Sequence, residues 1–389
     1  MTGGPRVRQL ESIADVDART WDALIDTDQP ALQHAFLCAL EETGAASPET
    51  GWHPGHVIVE EANGRLLGAM PLYAKDHSFG EFVFDFAWAE AWQRTGRPYY
   101  PKLVSAIPFT PLDGPRLLLA PDAPGDTTDL LLRAAETQCR DSGMSTIHAL
   151  FCDQSQFEQY TDRDWLRRDG TRFVWENRDY PSFDDWLAAL RSRKRKNLRR
   201  ERRHVHEAGF RFALYAGSDL HTLDWEEIYQ AYAATYWLRG QRPYLPQEFF
   251  PRIAREMPDS LVVVEARNQS GALHGVAIFL QGTRTLYGRH WGRPPQHPDE
   301  PDGLHFETCY YQGMEYCIRA GLTRFDPGIQ GEHKLLRGFA PQTTHSFHWI
   351  PETDLHAAVR DFVHEESKHN EAYQLAARQH LPFPKGGVS

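Results

Sequence analysis

The stretch FDPGIQGEHKLLRGFAPQTTHSFHWI, residues 325 to 350, holds the densest group of side chains able to do chemistry. Pro327, Gly328 and Gly331 permit a tight, exposed turn with free backbone N–H groups. Gln330, Glu332, His333, Lys334 and Arg337 crowd into the same turn. Such a loop at a strand end can hold an anion, and His333 or Glu332 can move a proton near neutral pH. A polar loop of solvated charges is the plainer reading. Function is favoured because polar residues and glycines alternate here without a helical or strand period to explain them.

Other stretches offer weaker signals. In LYGRHWGRPPQ, Arg289 can fork onto a carboxylate or phosphate and Trp291 can stack on a ring or acyl chain. An Arg–Trp pair packed at a sheet end fits equally well. In GLHFETCYYQGMEY, His305 lies near a helix start, and Glu307 stands among aromatic residues. A buried carboxylate has a raised pKa and serves as a base, whereas a first-turn Glu only complements the helix dipole. YWLRGQRPYLPQEFF puts Arg239, Arg242 and Tyr244 in a substrate-lining loop or a plain connector. In LRSRKRKNLRRERRHVHEAG, nine of the thirteen residues from Arg191 to Arg203 are Lys or Arg, including Lys194 and Lys196. As a helix this segment carries positive charge nearly all round, with Leu198 its only large apolar residue. It either contacts substrate or tRNA phosphates or forms a solvated face.

The bulk numbers limit these options. The 389-residue chain has net charge −11, so the +8 of residues 191–203 leaves −19 on the remainder. A chain this acidic outside one patch is not a general nucleic-acid coat, and a polyanion must meet it locally. The start, MTGGPRVRQLESIAD, has no apolar signal core, and no run reaches the ~18 apolar residues of a spanning helix. The five scattered cysteines form no CxxC pair and read as buried thiols of a cytosolic protein, so a cytoplasmic location is expected. HEESKHN spaces its histidines five apart, off a common helical face, so no metal is expected. There is no GxSxG, Walker A or GxGxxG, and no tightly bound cofactor is expected. The acetyl-CoA loop signature [QR]xxGx[GA] is absent too. QRTGRP and RHWGRP approach it but end in Pro, which lacks the N–H a pyrophosphate needs.

The elements that must position these residues occur twice. HVIVEEANGRLLGAMPLYAK and LVVVEARNQSGALHGVAIFLQG each read as a β-hairpin, two apolar runs around an Asn- and Gly-bearing turn. HAFLCALEETG and QEFFPRIAREM precede them as helices. An amphipathic helix, a Gly and a short strand follow each: LLLRAAETQCRDSGMSTIHALF and CYYQGMEYCIRAGLTRFDPG. This order, helix, hairpin, helix, strand, indicates a duplication, with domains at 1–180 and 181–389 and a polar helical tail from about residue 355. The class is α/β (α+β): mixed, largely antiparallel sheets flanked by helices.

FDPGIQGEHKLLRGFAP resembles the hallmark of the FemAB-like N-acyltransferases, relatives of the Fem peptidyltransferases of cell-wall synthesis. WHPGHVIVE, FDFAWAEAWQRTGRPYYPKLVSAIPFTPLDGPRLL, RKRKNLRRERRHVHEAG, YLPQEFF, LYGRHWG and LHFETCYYQGMEYCI resemble it as well, spanning about residues 30 to 350. The resemblance implies two tandem GNAT-like domains and transfer of an acyl or aminoacyl group to an amine. The donor is then acyl-CoA, another thioester or an aminoacyl-tRNA, and the acceptor a small-molecule or peptide amine. His290 stands where Tyr is expected, Ile329 where Ala is common, and no coiled-coil arm is present. On this basis Glu307 or His333 is the expected base, and Lys334 with backbone N–H groups near Gly328 to Gly331 stabilises the oxyanion. Arg289, His290, Trp291, His305, Gln330, Gly331, Arg337, Tyr244, Lys194 and Lys196 are expected to bind substrate. The first domain, with Tyr100 and Lys102, is expected to form a wall of the cleft. The rival expectation is a binding protein for a peptide, lipid or tRNA that has lost its chemistry.

Overall fold

The computed structural model describes residues 4–297, 302–329 and 331–384. The chain forms two units, one of residues 1–170 and 343–371, the other of 171–342 and 372–389. The expected boundary near 180 therefore lies inside the second unit. Segment 343–371, placed in the second domain by its position in sequence, folds with the first. Strand pairing explains this: Phe347, His348 and Trp349 pair antiparallel with Ala149, His148 and Ile147.

In the second unit, Arg211–Ala216, Leu261–Arg267, Leu273–Gln281 and Thr285–Gly292 pair antiparallel in that order. The run Leu261–Ala266, apolar except for Glu265, is buried throughout, as a strand covered on both faces requires. Asn268 closes the hairpin by accepting from the Ser270 and Ala272 amides, both at 3.0 Å. The chain then crosses through the helix Gln312–Ala320 and returns as Arg324–Asp326, parallel to Thr285–Gly292, with Tyr287 opposite Asp326. On its other side this short strand meets Trp175 and Glu176. Trp175, Trp186, Phe279, Met314, Phe325 and Phe339 fill the core beneath it.

One irregularity shapes the sheet. Ile278 pairs with His290 and Phe279 with Gly288, so Arg289 is an extra residue on its strand. Such a bulge bends the strand and re-aims the side chain, here at the end of the parallel pair.

The first unit repeats the order of elements. The helix His34–Glu42 precedes the hairpin His56–Glu60 and Leu66–Met70; the helix Thr127–Asp141 leads to the strand Ile147–Ala149. That strand runs parallel to Lys102–Ser105. The expected helix–hairpin–helix–strand repeat is thus present in both units. All five cysteines are buried and free. Among the described residues, no helix is long and apolar enough to cross a membrane.

Close backbone approach holds the second unit's sheet to a helix. A Cβ added at Gly292 would lie 2.4 Å from the Ala231 carbonyl oxygen and 2.6 Å from the Tyr232 nitrogen. These are backbone atoms of the helix Trp225–Trp237, which cannot swing aside. Gly292→Ala is expected to cost about 2 kcal/mol or more, read as a lower midpoint in urea unfolding; an unchanged midpoint would contradict this packing.

Candidate functional site

The carboxyl ends of the parallel pair Thr285–Gly292 and Arg324–Asp326 are where an α/β sheet leaves a crevice for ligands. Asp326 occupies that position and is buried. It pairs with Arg172 and accepts the Gly328 amide at 2.9 Å. Burial alone would raise the Asp326 carboxyl, but Arg172, Arg324, the Gly328 amide and Lys334 hold it below the usual range. Lys334 is 1% exposed, and its Nζ donates to the Gly328 carbonyl at 2.6 Å. Burial pulls its ammonium down to about 8 against the opposing charge of Asp326. Burial likewise lowers the Arg289 guanidinium to about 10, opposed by Asp326, Tyr236 and Tyr232. Arg172, Arg324, Lys334 and Arg289 thus gather around the Asp326 carboxylate.

Beside it is a ring cluster. Tyr310 Oη and His333 Nε2 share a hydrogen bond of 2.8 Å. The His305 ring lies 5.5 Å from Tyr310, 5.2 Å from Trp291 and 6.2 Å from His333. Burial lowers both histidines, with Arg337 and Lys334 adding to the effect; His305 falls to about 4. Both are neutral near pH 7, so His333 is able to accept a proton. Gly331 allows this arrangement: its φ is +112°, and a Cβ there would sit 2.2 Å from the His333 ring.

The helix that presents Tyr310 contains a π-turn, Glu307–Tyr311. This wider turn carries two adjacent tyrosines to different partners. Tyr310 reaches His333, while Tyr311 Oη donates to Glu201 at 2.5 Å.

Glu307 is buried as expected, but both its oxygens are occupied. Arg202 donates to them at 2.9 and 2.7 Å, and the Gln312 amide adds a bond of 2.8 Å. A carboxylate held by a guanidinium fork is an anchor for the helix and a poor base. Arg337 is similarly committed. Expected to bind substrate, it donates instead to Glu201 at 2.8 and 2.9 Å and lies 3.4 Å above the Phe306 ring. Glu332 is exposed and accepts from Tyr373 Oη at 2.9 Å. The Gly328 amide, expected to be free, is taken by Asp326.

The remaining expected residues scatter. His290 packs 4.9 Å from Tyr232 and 5.7 Å from Phe250. Trp291 packs over Gly275 and the His305 ring, and Tyr244 lies 5.3 Å from Tyr236. Gln330 lies outside the described residues. Lys102 is fully buried in the first unit, bonded to Ser78, Glu81 and Asp85, and Tyr100 Oη lies 2.8 Å from Ser78 Oγ. Lys102 is therefore an internal anchor and lines no surface.

The basic helix, Ser192–Glu207, is not positive all round. Leu198 and Val205 are buried, and between them Glu201 and Arg202 bind Arg337 and Glu307. The one acidic residue of the run lies on the inner face. Arg193, Lys196, Arg200 and Arg203 are exposed, and Lys194 is half-buried. Sequence reasoning missed Arg172, Asp326 and Tyr310. Asp326 had a signal in FDPG, a carboxylate where strand meets turn; Arg172 had none, because its partner is 154 positions away.

A model of the FemAB-like family, described as peptidoglycan biosynthesis/recognition, matches residues 12–385. No curated protein is significantly similar in sequence. Among solved structures, FemX aligns with TM-score 0.53 at 10% identity, covering 91% of this chain and all (100%) of its own. The C-terminal domain of a protein named as a lysylphosphatidylglycerol synthetase in Agrobacterium fabrum gives 0.52 at 12% identity, covering 90% and 96%. A tandem GNAT protein of clavulanic acid biosynthesis gives 0.46 at 12%, covering 89% and 98%. The fold is the mixed α/β one expected, with sheets flanked by helices.

The Glu307 assignment predicts a specific coupling. Arg202→Met leaves a buried carboxylate without its fork and is expected to cost ~3 kcal/mol or more. Arg202→Met combined with Glu307→Leu is expected to recover most of that loss in chemical denaturation. A double variant no more stable than the single one would contradict an anchoring pair.

Proposed function

Because the chain belongs to the FemAB-like family, we propose that it transfers an acyl or aminoacyl group from an activated donor to an amine, using the strand-end site of its second unit. The observation that carries this reading is the gathering of Arg289 and Lys334 around Asp326 at a strand end, with a neutral histidine–tyrosine pair beside it. The cationic side suits a carbonyl that becomes an oxyanion, and the neutral imidazole suits an amine that must lose a proton.

In this reading the amine nitrogen attacks the donor carbonyl carbon. The carbonyl oxygen takes up the electron pair and faces the Lys334 ammonium. His333 removes the amine proton and returns it to the departing thiolate or ribose oxygen as the tetrahedral intermediate collapses. Tyr310 orients the imidazole through its 2.8 Å bond. Arg289 holds an anionic part of the donor or acceptor. Glu307 and Arg337, expected as base and anion binder, act here as supports that keep the helix and the turn in place.

The donor is either a thioester or an aminoacyl-tRNA. The exposed cations of the basic helix favour a polyanionic donor, since this helix is bolted to the site loop through Glu201 and Arg337. The acceptor is a small-molecule or peptide amine, in keeping with the family's description.

Two outcomes test this. The transfer rate is expected to rise with pH as His333 loses its proton, below the usual histidine range, and to fall above about 8 as Lys334 loses its charge. His333→Ala should remove the acid limb and lower kcat by roughly a hundredfold; an unaltered pH profile would exclude His333 as the base. Binding of tRNA should weaken steeply with salt, and replacing Arg193, Lys196 and Arg200 by Gln should reduce the slope of log Kd against log salt by about 2 to 3. A flat salt dependence would leave the thioester as donor.

A further inference from the structure

The basic helix Ser192–Glu207 has two opposite faces that make different contacts. Arg193, Lys196, Arg200 and Arg203 follow one another at steps of three and four residues, so they form a single stripe about 15 Å long. All four are exposed. Among the described residues the first three make no ion pair, and Arg203 meets only Glu207, at 4.0 Å. Leu198, Glu201, Arg202 and Val205 lie about half a turn away from the stripe, and Leu198 and Val205 are buried there.

This helix is poorly made to stand alone. Its N-cap is Arg191, with no capping side chain, and no acidic residue stands in its first turn. Arg193, Lys194 and Arg195 in that turn oppose the helix dipole. Within the stripe, each neighbour three or four positions on has the same sign, which opposes helix formation. Of the flanking charges, Arg199 is matched by Asp184 at 2.9 Å, while Lys194 and Arg195 add to the positive excess. The inner face holds the helix together, and the outer face works against it.

The inner contacts lead to the two groups of the proposed proton transfer. Glu201 accepts from Arg337 Nη2 at 2.9 and 2.8 Å and from Tyr311 Oη at 2.5 Å. The same Arg337 donates through Nη1 to the His333 carbonyl at 3.1 Å and through Nε to Tyr311 Oη at 3.0 Å. Beside Glu201, Arg202 forks onto Glu307 and reaches Glu315 at 2.7 Å, and these two carboxylates bracket Tyr310 in the chain. Two adjacent residues of one helix thus fix both partners of the His333–Tyr310 bond. Fraying of the helix releases both.

We propose that RNA phosphates seated on the outer stripe stabilise the helix and thereby set the His333–Tyr310 pair, so that the donor's polyanion switches on the site it serves. The formed helix presents its cations to a phosphate backbone as one row, and the frayed segment does not. That difference in binding shifts the balance between the two states. Glu201 is the positioning residue that carries the effect to the loop. This regulation rests on the transfer role given above to His333.

Hydrogen exchange of the full chain with and without tRNA at low salt, read by mass spectrometry, tests the coupling. If RNA binds only the formed helix, RNA at about ten times its Kd slows exchange roughly tenfold. The slowing should appear in Ser192–Glu207 and in the site loop Glu332–Arg337, and leave the strand Leu261–Arg267 as it was. Arg193→Gln/Lys196→Gln/Arg200→Gln should lose the response to RNA. With its self-repulsion relieved, this variant should also exchange more slowly than wild type at both segments when RNA is absent. Glu201→Gln should keep RNA affinity and protection of the helix but lose the gain in the loop. Wild-type protection confined to the helix would overturn the proposal. So would a stripe variant whose RNA-free loop exchanges as fast as wild type, or a loop gain that survives Glu201→Gln. Phosphatidylglycerol vesicles that protect both segments where tRNA protects neither would overturn it in favour of a membrane surface. No turnover is needed for these readings. Loop protection by RNA with an unaltered transfer rate in His333→Ala would sink the transfer role and leave the coupling; transfer that depends on His333 with a loop indifferent to RNA would do the reverse.

Discussion

The second unit is organised around a buried carboxylate. Asp326 ends a short strand at the point where the parallel pair opens, and a charge in that position is costly unless it is matched. Arg172 matches it from a neighbouring strand, the Gly328 amide from the next turn, and Lys334 from the helical turn beyond. The turn after Asp326 is folded back by the Lys334–Gly328 bond, and this places His333 against Tyr310. A stability requirement and the geometry of the proposed site are thus met by the same atoms.

A second layer of charge pairs holds this arrangement from behind. Glu201 and Arg202 are adjacent on the basic helix and opposite in sign. Glu201 takes Arg337 of the site loop, and Arg202 takes Glu307 of the π-turn. One helix therefore positions both walls of the ring cluster while its other face keeps its cations in solvent. The first unit treats the equivalent strand ends differently. Its parallel pair is Lys102–Ser105 with Ile147–Ala149, and Arg116 fills the space beyond. Arg116 is fully buried and donates to the carbonyls of Leu112 and Leu150, both at 2.7 Å. One repeat gathers cations around a carboxylate at its strand end, with a histidine beside them; the other closes its own with an arginine bonded to backbone carbonyls.

Much of the architecture was legible in the sequence because it rests on local rules. The hairpins announced themselves through apolar runs around Asn–Gly turns, and the crossover helices through their amphipathic period. The cluster from Gly328 to Arg337 stood out because no secondary-structure period explained it. Roles were less legible than positions. Glu307 looked like a base because its burial could be inferred, while the Arg202 fork that occupies it lies 105 residues away. The basic run looked uniformly exposed because a charge count ignores which face of a helix is covered. His290 looked like a pocket residue, yet in the fold its ring packs against those of Tyr232 and Phe250.

By itself, the sequence determined the order of elements, their repetition and the stretch proposed to carry the chemistry, since hydrophobic period, turn residues and charge density are properties of neighbours in the chain. Only the tertiary structure decided which charges cancel. Arg172 with Asp326, Arg202 with Glu307 and Glu201 with Arg337 are separated by 154, 105 and 136 positions. No local pattern encodes such pairs, and a buried charge takes its state from its partner in space. The same holds for Lys102, which reads as a candidate cleft residue in the chain and in the fold is the buried post to which an aromatic loop is tied.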